Sequence, residues 1–296
     1  MFWLWLALAI GVLCAVWGIG IERQLFKVRF ESLKVLPKGS TTLRVLHVSD
    51  FHLAPWQHRK ARFISELIGL KPDLVVNTGD NLGHKDAIRP LLAAIKPLLA
   101  VPGVFVNGSN DYHSPTARNP FSYLFKPSAP THHDPIATEL MTDVFETSGW
   151  LNLNNQDGRL NLHGLELGFI GLDDPHDGLA RPETLPAQAG RVSRSDFVIG
   201  VSHAPYLNVL EGFATNSAKL AFAGHTHGGQ VCLPFKGALV TNCDLPTKNA
   251  KGLSQWEFNG KQMWLNVCAG LGTSIFAPVR FFCRPEVRLL TLLPKD

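Results

Sequence analysis

The chain has 296 residues, 45% hydrophobic and 18% charged, with a net charge of +4, which fits one large globular domain plus one apolar terminus. That mild basicity suits an anionic membrane surface or a phosphate-bearing ligand, but without a basic run or groove motif it gives no nucleic-acid-binding signature. The cysteines Cys14, Cys232, Cys243, Cys268 and Cys283 are odd in number and form no Cys-x-x-Cys pair, so they read as buried reduced thiols rather than a zinc knuckle or disulfide framework.

Met1 to Ile21 carries no charged side chain, and about 20 helical residues at roughly 1.5 Å each span the hydrocarbon core of a bilayer. Trp3, Trp5 and Trp17 lie near its two ends, as interfacial aromatics do. No basic residue precedes the run and no clean small-x-small cleavage site follows it, which favours a transmembrane anchor (1–21) over a cleaved signal peptide. Arg23, Lys27, Arg29 and Lys34 follow, so the positive-inside rule predicts a single-pass cell-membrane protein with its main domain in the cytoplasm. Residues 22–42 are expected to be a linker that turns at Pro37-Lys38-Gly39-Ser40 before a domain spanning 43–296.

Within that domain, apolar strands repeatedly run into ligand-type residues. Leu43 to Val48 leads to Asp50-Phe51-His52, Leu74 to Asn77 leads to Gly79-Asp80-Asn81, and Val104 to Val106 leads to Gly108-Ser109-Asn110-Asp111. Between them, Phe63, Ile64, Leu67 and Ile68, then Ile88, Leu91, Leu92, Ile95 and Leu98, show helical spacing. Residues 114–134 shift to Pro, Ser, Thr and His around Phe121, Tyr123, Leu124 and Phe125, with Arg118 and Lys126 flanking. This is expected to be a lid-like insertion facing the membrane, the alternative being that its aromatics pack on the domain. Asp134 then fits an N-cap with Pro135 at the first helical position, and Leu140, Met141, Val144 and Phe145 form one face.

The second half repeats the theme. Gly158 to Ile170 reads as antiparallel strands. Leu167 to Gly171 leads to Asp173-Asp174-Pro175-His176, Phe197 to Val201 leads to Ser202-His203, and Leu220 to Ala223 leads to Gly224-His225-Thr226-His227-Gly228-Gly229-Gln230. A lone histidine is usually a satisfied core or surface residue, but two imidazoles one residue apart, bracketed by glycines at a strand end, look like metal ligands. In open α/β sheets, sites form beyond the carboxyl ends of strands, so these groups can converge.

Taken in order, Asp-x-His, Gly-Asp, an Asn-Asp turn, a single His and Gly-His-x-His resemble the calcineurin-like metallophosphoesterase superfamily. The tail, Gly270-Leu271-Gly272-Thr273-Ser274 and Val279 to Glu286, looks closest to its bacterial membrane-associated branch, some members of which cleave UDP-diacylglucosamine. The resemblance implies a sandwich of two mixed β-sheets flanked by helices. It implies two divalent ions, one held by Asp50, His52 and His227, the other by Asn110, His203 and His225, with Asp80 bridging. Mixed N and O donors suit manganese, with iron or zinc as alternatives, and argue against calcium. A metal-bridging hydroxide would attack phosphorus without a covalent enzyme intermediate.

One departure matters. The family usually carries Gly-Asn-His-Asp, whereas this chain has Gly108-Ser109-Asn110-Asp111-Tyr112, so either Asn110 or Ser109 stands at the ligand position and Asp111 or Asn110 at that of the catalytic His. An amide oxygen coordinates better than a neutral hydroxyl, which favours Asn110. His113, His84, His58 or metal activation alone could supply what that His does. Leaving groups of low pKa need no acid, so the expected reaction is hydrolysis of phosphodiester or pyrophosphate bonds, in a lipid-linked or nucleotide-linked substrate. The alternatives are a phosphoprotein or nucleotide phosphomonoesterase, and a metal-holding membrane scaffold that has lost catalysis. Asp173 and Asp174 either line the site or serve turn chemistry.

Overall fold

The computed structural model describes residues 1–115 and 135–296. In chain order the strands are β1 (Lys27–Leu36), β2 (Leu43–Val48), β3 (Leu74–Asn77), β4 (Gly103–Phe105), β5 (Leu151–Asn152), β6 (Asp157–Leu162), β7 (Leu165–Gly171), β8 (Phe197–Val201), β9 (Leu220–Ala223), β10 (Cys232–Leu233), β11 (Gly237–Ala238), β12 (Gly252–Phe258), β13 (Lys261–Val267) and β14 (Glu286–Pro294). The α-helices are α1 (Phe2–Ala15), α2 (His58–Glu66), α3 (Ile88–Ile95), α4 (Ser109–Tyr112), α5 (Glu139–Thr147), α6 (Leu185–Arg191) and α7 (Leu207–Thr215).

Two six-stranded sheets, ordered β1-β14-β2-β3-β4-β5 and β12-β13-β9-β8-β7-β6, make the domain. Both are mixed: β14 is antiparallel to β2 while β2, β3 and β4 run parallel, and β6 is antiparallel to β7 while β7, β8 and β9 run parallel. Alternation along each strand sorts side chains into layers. Leu43 and Val45, Leu74 and Val76, Phe197, Ile199 and Val201, and Leu220 and Phe222 meet between the sheets. Leu46, Val48 and Val75 face α2, α3 and α5, whereas Val198 and Ala221 face α6 and α7. The result is the expected sandwich of two mixed sheets with helices on both outer faces.

One polar chain crosses the core beneath the strand ends. Asn266 Nδ2 donates to His47 Nδ1 at 2.7 Å, His47 Nε2 meets Thr78 Oγ1 at 3.0 Å, and Arg288 Nε donates to Asn266 Oδ1 at 2.8 Å. Arg288 also donates to Glu286 Oε1 at 2.7 Å. Buried polar groups survive because each finds a partner.

Three expectations change. The stretch 22–42 is more than a linker: β1 adds a ten-residue edge strand, parallel to β14, before the expected turn, where Ser40 N donates to Pro37 O. Its alternation is weak because an edge strand buries only part of one face, and that hid it in the sequence. The helix expected from Pro135 begins at Glu139, because Pro135 is held in an extended bridge to His113 and Ile136 N donates to Tyr112 O at 2.8 Å. Its buried residues are Met141 and Phe145, whereas Leu140 is exposed. Asp134 and the expected lid, except Ser114 and Pro115, lie outside the described residues.

The N-terminal helix continues past α1 to Gln24, giving 23 residues long and apolar enough to cross a membrane. Its root is bonded to the domain. Arg280 N donates to Gly18 O at 3.1 Å, and the buried Glu22 carboxylate accepts from Trp17 Nε1 at 2.7 Å, Phe282 N at 2.9 Å and Cys283 N at 2.7 Å.

Candidate metal centre

The backbone turns sharply where the strands end. Asp50 and His52 after β2 have φ of 46° and 38°, Asp80 after β3 has 54°, and His225 and His227 after β9 have 66° and 50°. This left-handed region costs a residue with a Cβ roughly 1–2 kcal/mol, and such strain gathers where a site dictates geometry. Here it brings the ligand atoms of Asp50, His52, Asp80 and His227 within 4.8 Å of one another. Glycine makes the approach possible: a Cβ on Gly108 would strike the Asp80 carboxylate, and one on Gly224 would strike Ser49 and Asp50.

Asp80 lies between two groups of donors. Its Oδ2 is 3.3 Å from His52 Nε2, 3.6 Å from His203 Nε2, and accepts from Asn110 Nδ2 at 2.8 Å. On one side, His227 Nε2 is 3.5 Å from Asp50 Oδ1 and 3.2 Å from His52 Nε2. On the other, the His225 ring lies 5.3 Å from that of His203. Carbonyls behind the rings set which nitrogen faces inward. His203 Nδ1 donates to Thr78 O at 2.6 Å and His227 Nδ1 to Gly272 O at 3.2 Å, so each Nε2 points into the site. His225 Nε2 donates to Asn242 O at 3.2 Å, which leaves its Nδ1 as the lone-pair atom.

Charge and burial fit a cation. Burial holds the imidazoles of His52, His225 and His227 well below the usual histidine pKa, so they are neutral, the form a metal ligand needs. Burial raises the carboxyls of Asp50 and Asp80, the latter also through Asp50. At His203 burial opposes the charge, but Asp80, Asp174 and Asp50 outweigh it and lift the pKa to about 9. Buried His203 Nε2 has no hydrogen-bond partner, and facing Nε2 atoms on His52 and His227 offer lone pairs toward one point. The donor set therefore accepts a divalent ion.

The remaining expected residues fall around this centre. Asn110 meets Asp80 through both its backbone and side-chain nitrogens. Asp111 is fully buried and turned away into its loop, where it accepts from Asn81 N at 2.8 Å, Asn81 Nδ2 at 3.1 Å, Leu82 N at 3.2 Å and Gly108 N at 3.1 Å. His113 Nε2 lies 3.9 Å from Asp177 Oδ2, and His84 pairs with Asp86 at 3.6 Å. Asp174 serves the turn, its Oδ1 accepting from His176 N at 2.9 Å, while its Oδ2 is buried without a hydrogen bond. Asp173 accepts from Tyr112 Oη at 2.9 Å.

Several residues beside the site were not singled out by sequence reasoning. His176, noted only as the end of the Asp173 to His176 run, has its ring 4.6 Å from that of His225 and tilted by 45°, and its Nδ1 bonds Tyr206 Oη at 2.9 Å. Lys60, whose pKa burial lowers to about 7, donates to Phe51 O at 2.7 Å. Arg280 is fully buried and donates to His227 O at 2.6 Å, Ala269 O at 2.7 Å, Gly270 O at 3.4 Å and Gly272 O at 2.6 Å. An arginine inside the run Val279 to Glu286 was the available signal, but nothing local says that it reaches across to the His227 turn.

Residues 43–229 match the family model for calcineurin-like phosphoesterase. The chain is 25% identical over 299 residues to the uncharacterized metallophosphoesterase YkuE of Bacillus subtilis (strain 168), covering 97% of this chain and 93% of that protein. It is 27% identical over 235 residues to a Danio rerio transmembrane protein with metallophosphoesterase domain, covering 76% of this chain and 50% of the relative. Among solved structures, a dimetal phosphatase from Danio rerio aligns with a TM-score of 0.43 at 12% identity, over 77% of this chain and 88% of that one.

Proposed function

The chain belongs to the calcineurin-like phosphoesterase family and is a metal-dependent phosphoesterase, and from that premise we propose that it is a membrane-anchored hydrolase of phosphodiester or pyrophosphate bonds that works with two divalent ions. Asp50, His52 and His227 would hold one ion and Asn110, His203 and His225 the other, with Asp80 available to both. The observation that carries this reading is the Asp80 carboxylate, within 3.6 Å of donors from both groups. Bound ions neutralise phosphoryl oxygens and make water acidic enough to attack near neutral pH. Manganese is the expected metal, and iron or zinc suits the same donors.

The chain's own residues orient that chemistry. Thr78 O, Gly272 O and Asn242 O fix the tautomers of His203, His227 and His225. Asp111 is a positioning residue that holds the 80–82 and 108–110 loops in register. His113 beside Asp177 is the candidate leaving-group acid, and good leaving groups depend on it little. The Gly224 to Gln230 turn and the 270–286 tail support the UDP-diacylglucosamine pyrophosphohydrolase-like branch. The apolar Phe2–Gln24 helix and the basic residues after it support a cell-membrane anchor with residues 43–296 in the cytoplasm as the catalytic domain.

The test is hydrolysis of an aryl diester, an aryl monoester and a lipid-linked pyrophosphate by the full-length, manganese-loaded protein. Diester and pyrophosphate are expected to outpace the monoester. Monoester preference would make the protein a phosphomonoesterase, and no turnover with manganese, iron or zinc would make it a metal-binding scaffold.

A further inference from the structure

The anchor meets the domain where much of the domain's exposed apolar area lies. Outside the N-terminal helix, Leu233, Phe235, Phe276 and Phe282 are exposed on two segments, with Phe235 at 111% exposure. These segments are bonded to each other: Cys232 N donates to Phe281 O at 2.8 Å, and Gln230 Nε2 donates to Ala277 O at 3.1 Å. The second segment is bonded in turn to the root of the helix, through Arg280 N on Gly18 O and through Phe282 N and Cys283 N on Glu22. A helix that leaves the domain here to enter a bilayer sets both segments against the bilayer's surface.

Charge points the same way. Residues 228–243 and 269–285 contain no Asp or Glu, while Lys236 and Arg284 are exposed on them. Aromatic and aliphatic tips rimmed by basic residues are the composition of a surface that meets anionic headgroups. Scattered single hydrophobics need no explanation, but a bonded pair of loops that continues a membrane helix does.

We propose that this face, with Leu233, Phe235, Phe276 and Phe282 as its apolar contacts, rests on the membrane surface. The same loops carry the His227 turn, whose side chain is 15% exposed against 0% for Asp50 and His203. The metal centre therefore lies beside the headgroup layer, and the substrate class it serves is a phosphate-bearing lipid presented by the bilayer. Only this substrate assignment rests on the hydrolase reading; the docking of the face does not.

The experiment places the photoreactive residue p-benzoylphenylalanine at position 235, 276 or, as a control on the exposed side of α5, 140. Each full-length protein is reconstituted into phosphatidylcholine–phosphatidylglycerol vesicles, irradiated and examined by mass spectrometry. Lipid adducts are expected at 235 and 276 and not at 140. Equal yields at all three positions, or adducts to a second copy of the chain at 235 and 276, would overturn the proposal. The same vesicles are assayed on a soluble aryl diester with manganese. Hydrolysis without lipid adducts removes the docking face alone, whereas adducts without hydrolysis uphold the face and remove the enzymatic reading.

Discussion

Replacing Arg280 by methionine removes the buried guanidinium that ties the His227 turn to the 269–272 loop. Three of its carbonyl contacts are short, at 2.6 Å to His227 O, 2.7 Å to Ala269 O and 2.6 Å to Gly272 O. Hydrogen bonds from a charged donor contribute roughly 1.5–3 kcal/mol each, so three come to about 5–9 kcal/mol. Methionine also avoids the cost of burying a guanidinium, several kcal/mol, which leaves a net destabilisation on the order of 3–5 kcal/mol. For a domain of this size that corresponds to a fall in Tm on the order of 10 °C. Because the same guanidinium fixes the backbone of a proposed ligand, metal affinity should fall by roughly 10–100-fold, as for other residues behind metal ligands. Thermal melting of the full-length protein in detergent and metal titration read the two effects. R280M that melts within a degree or two of wild type and binds metal equally well would refute the reasoning.

Asp80→Ala should abolish aryl diester hydrolysis and lower bound metal at both sites, whereas His227→Ala should weaken one; equal retention of metal in both variants, measured by elemental analysis, would contradict the shared role. His113→Ala should slow aryl diesters with good leaving groups by well under about 10²-fold, the low end of general acid catalysis, and a larger loss in steady-state rates would contradict the weak dependence of such leaving groups on a protein acid. A reporter fused after Asp296 should be active on the cytoplasmic side; activity only outside would reverse the topology. Burial, then Arg288, holds His47 well below its unfolded pKa of about 6.5, so the unfolded chain binds that proton more readily and stability is lost as pH falls below about 6.5, by at most roughly 1.4 kcal/mol per unit. In chelator, the urea midpoint should fall less between pH 7.5 and 5.5 for His47→Gln than for wild type, and equal falls would contradict this.

The strands that carry the site were legible because they are short, fully buried and end in polar residues at glycine-rich turns; β2, β3, β8 and β9 appear within the expected residues. That Asp50, His52, Asp80 and His227 could converge was legible from their places at strand ends, whereas their grouping around shared ions came only through resemblance, since their left-handed backbone and mutual distances depend on strands far apart in sequence. The edge strand β1 escaped because half of it faces solvent, and Arg280 escaped because its partners are carbonyls, which no side-chain pattern records. Asp111 looked like a reacting group by position in the motif, whereas the donors of Asn81, Leu82 and Gly108 occupy its carboxylate. The bonding of Glu22 to the 282–283 backbone was likewise silent, because a lone acid after an apolar helix reads as a boundary charge.

Elemental analysis of the active full-length protein, purified without chelator, addresses the paired site most directly. Two divalent ions per chain, falling together with activity in Asp80→Ala, are the predicted result. One ion or none in a fully active preparation would contradict it.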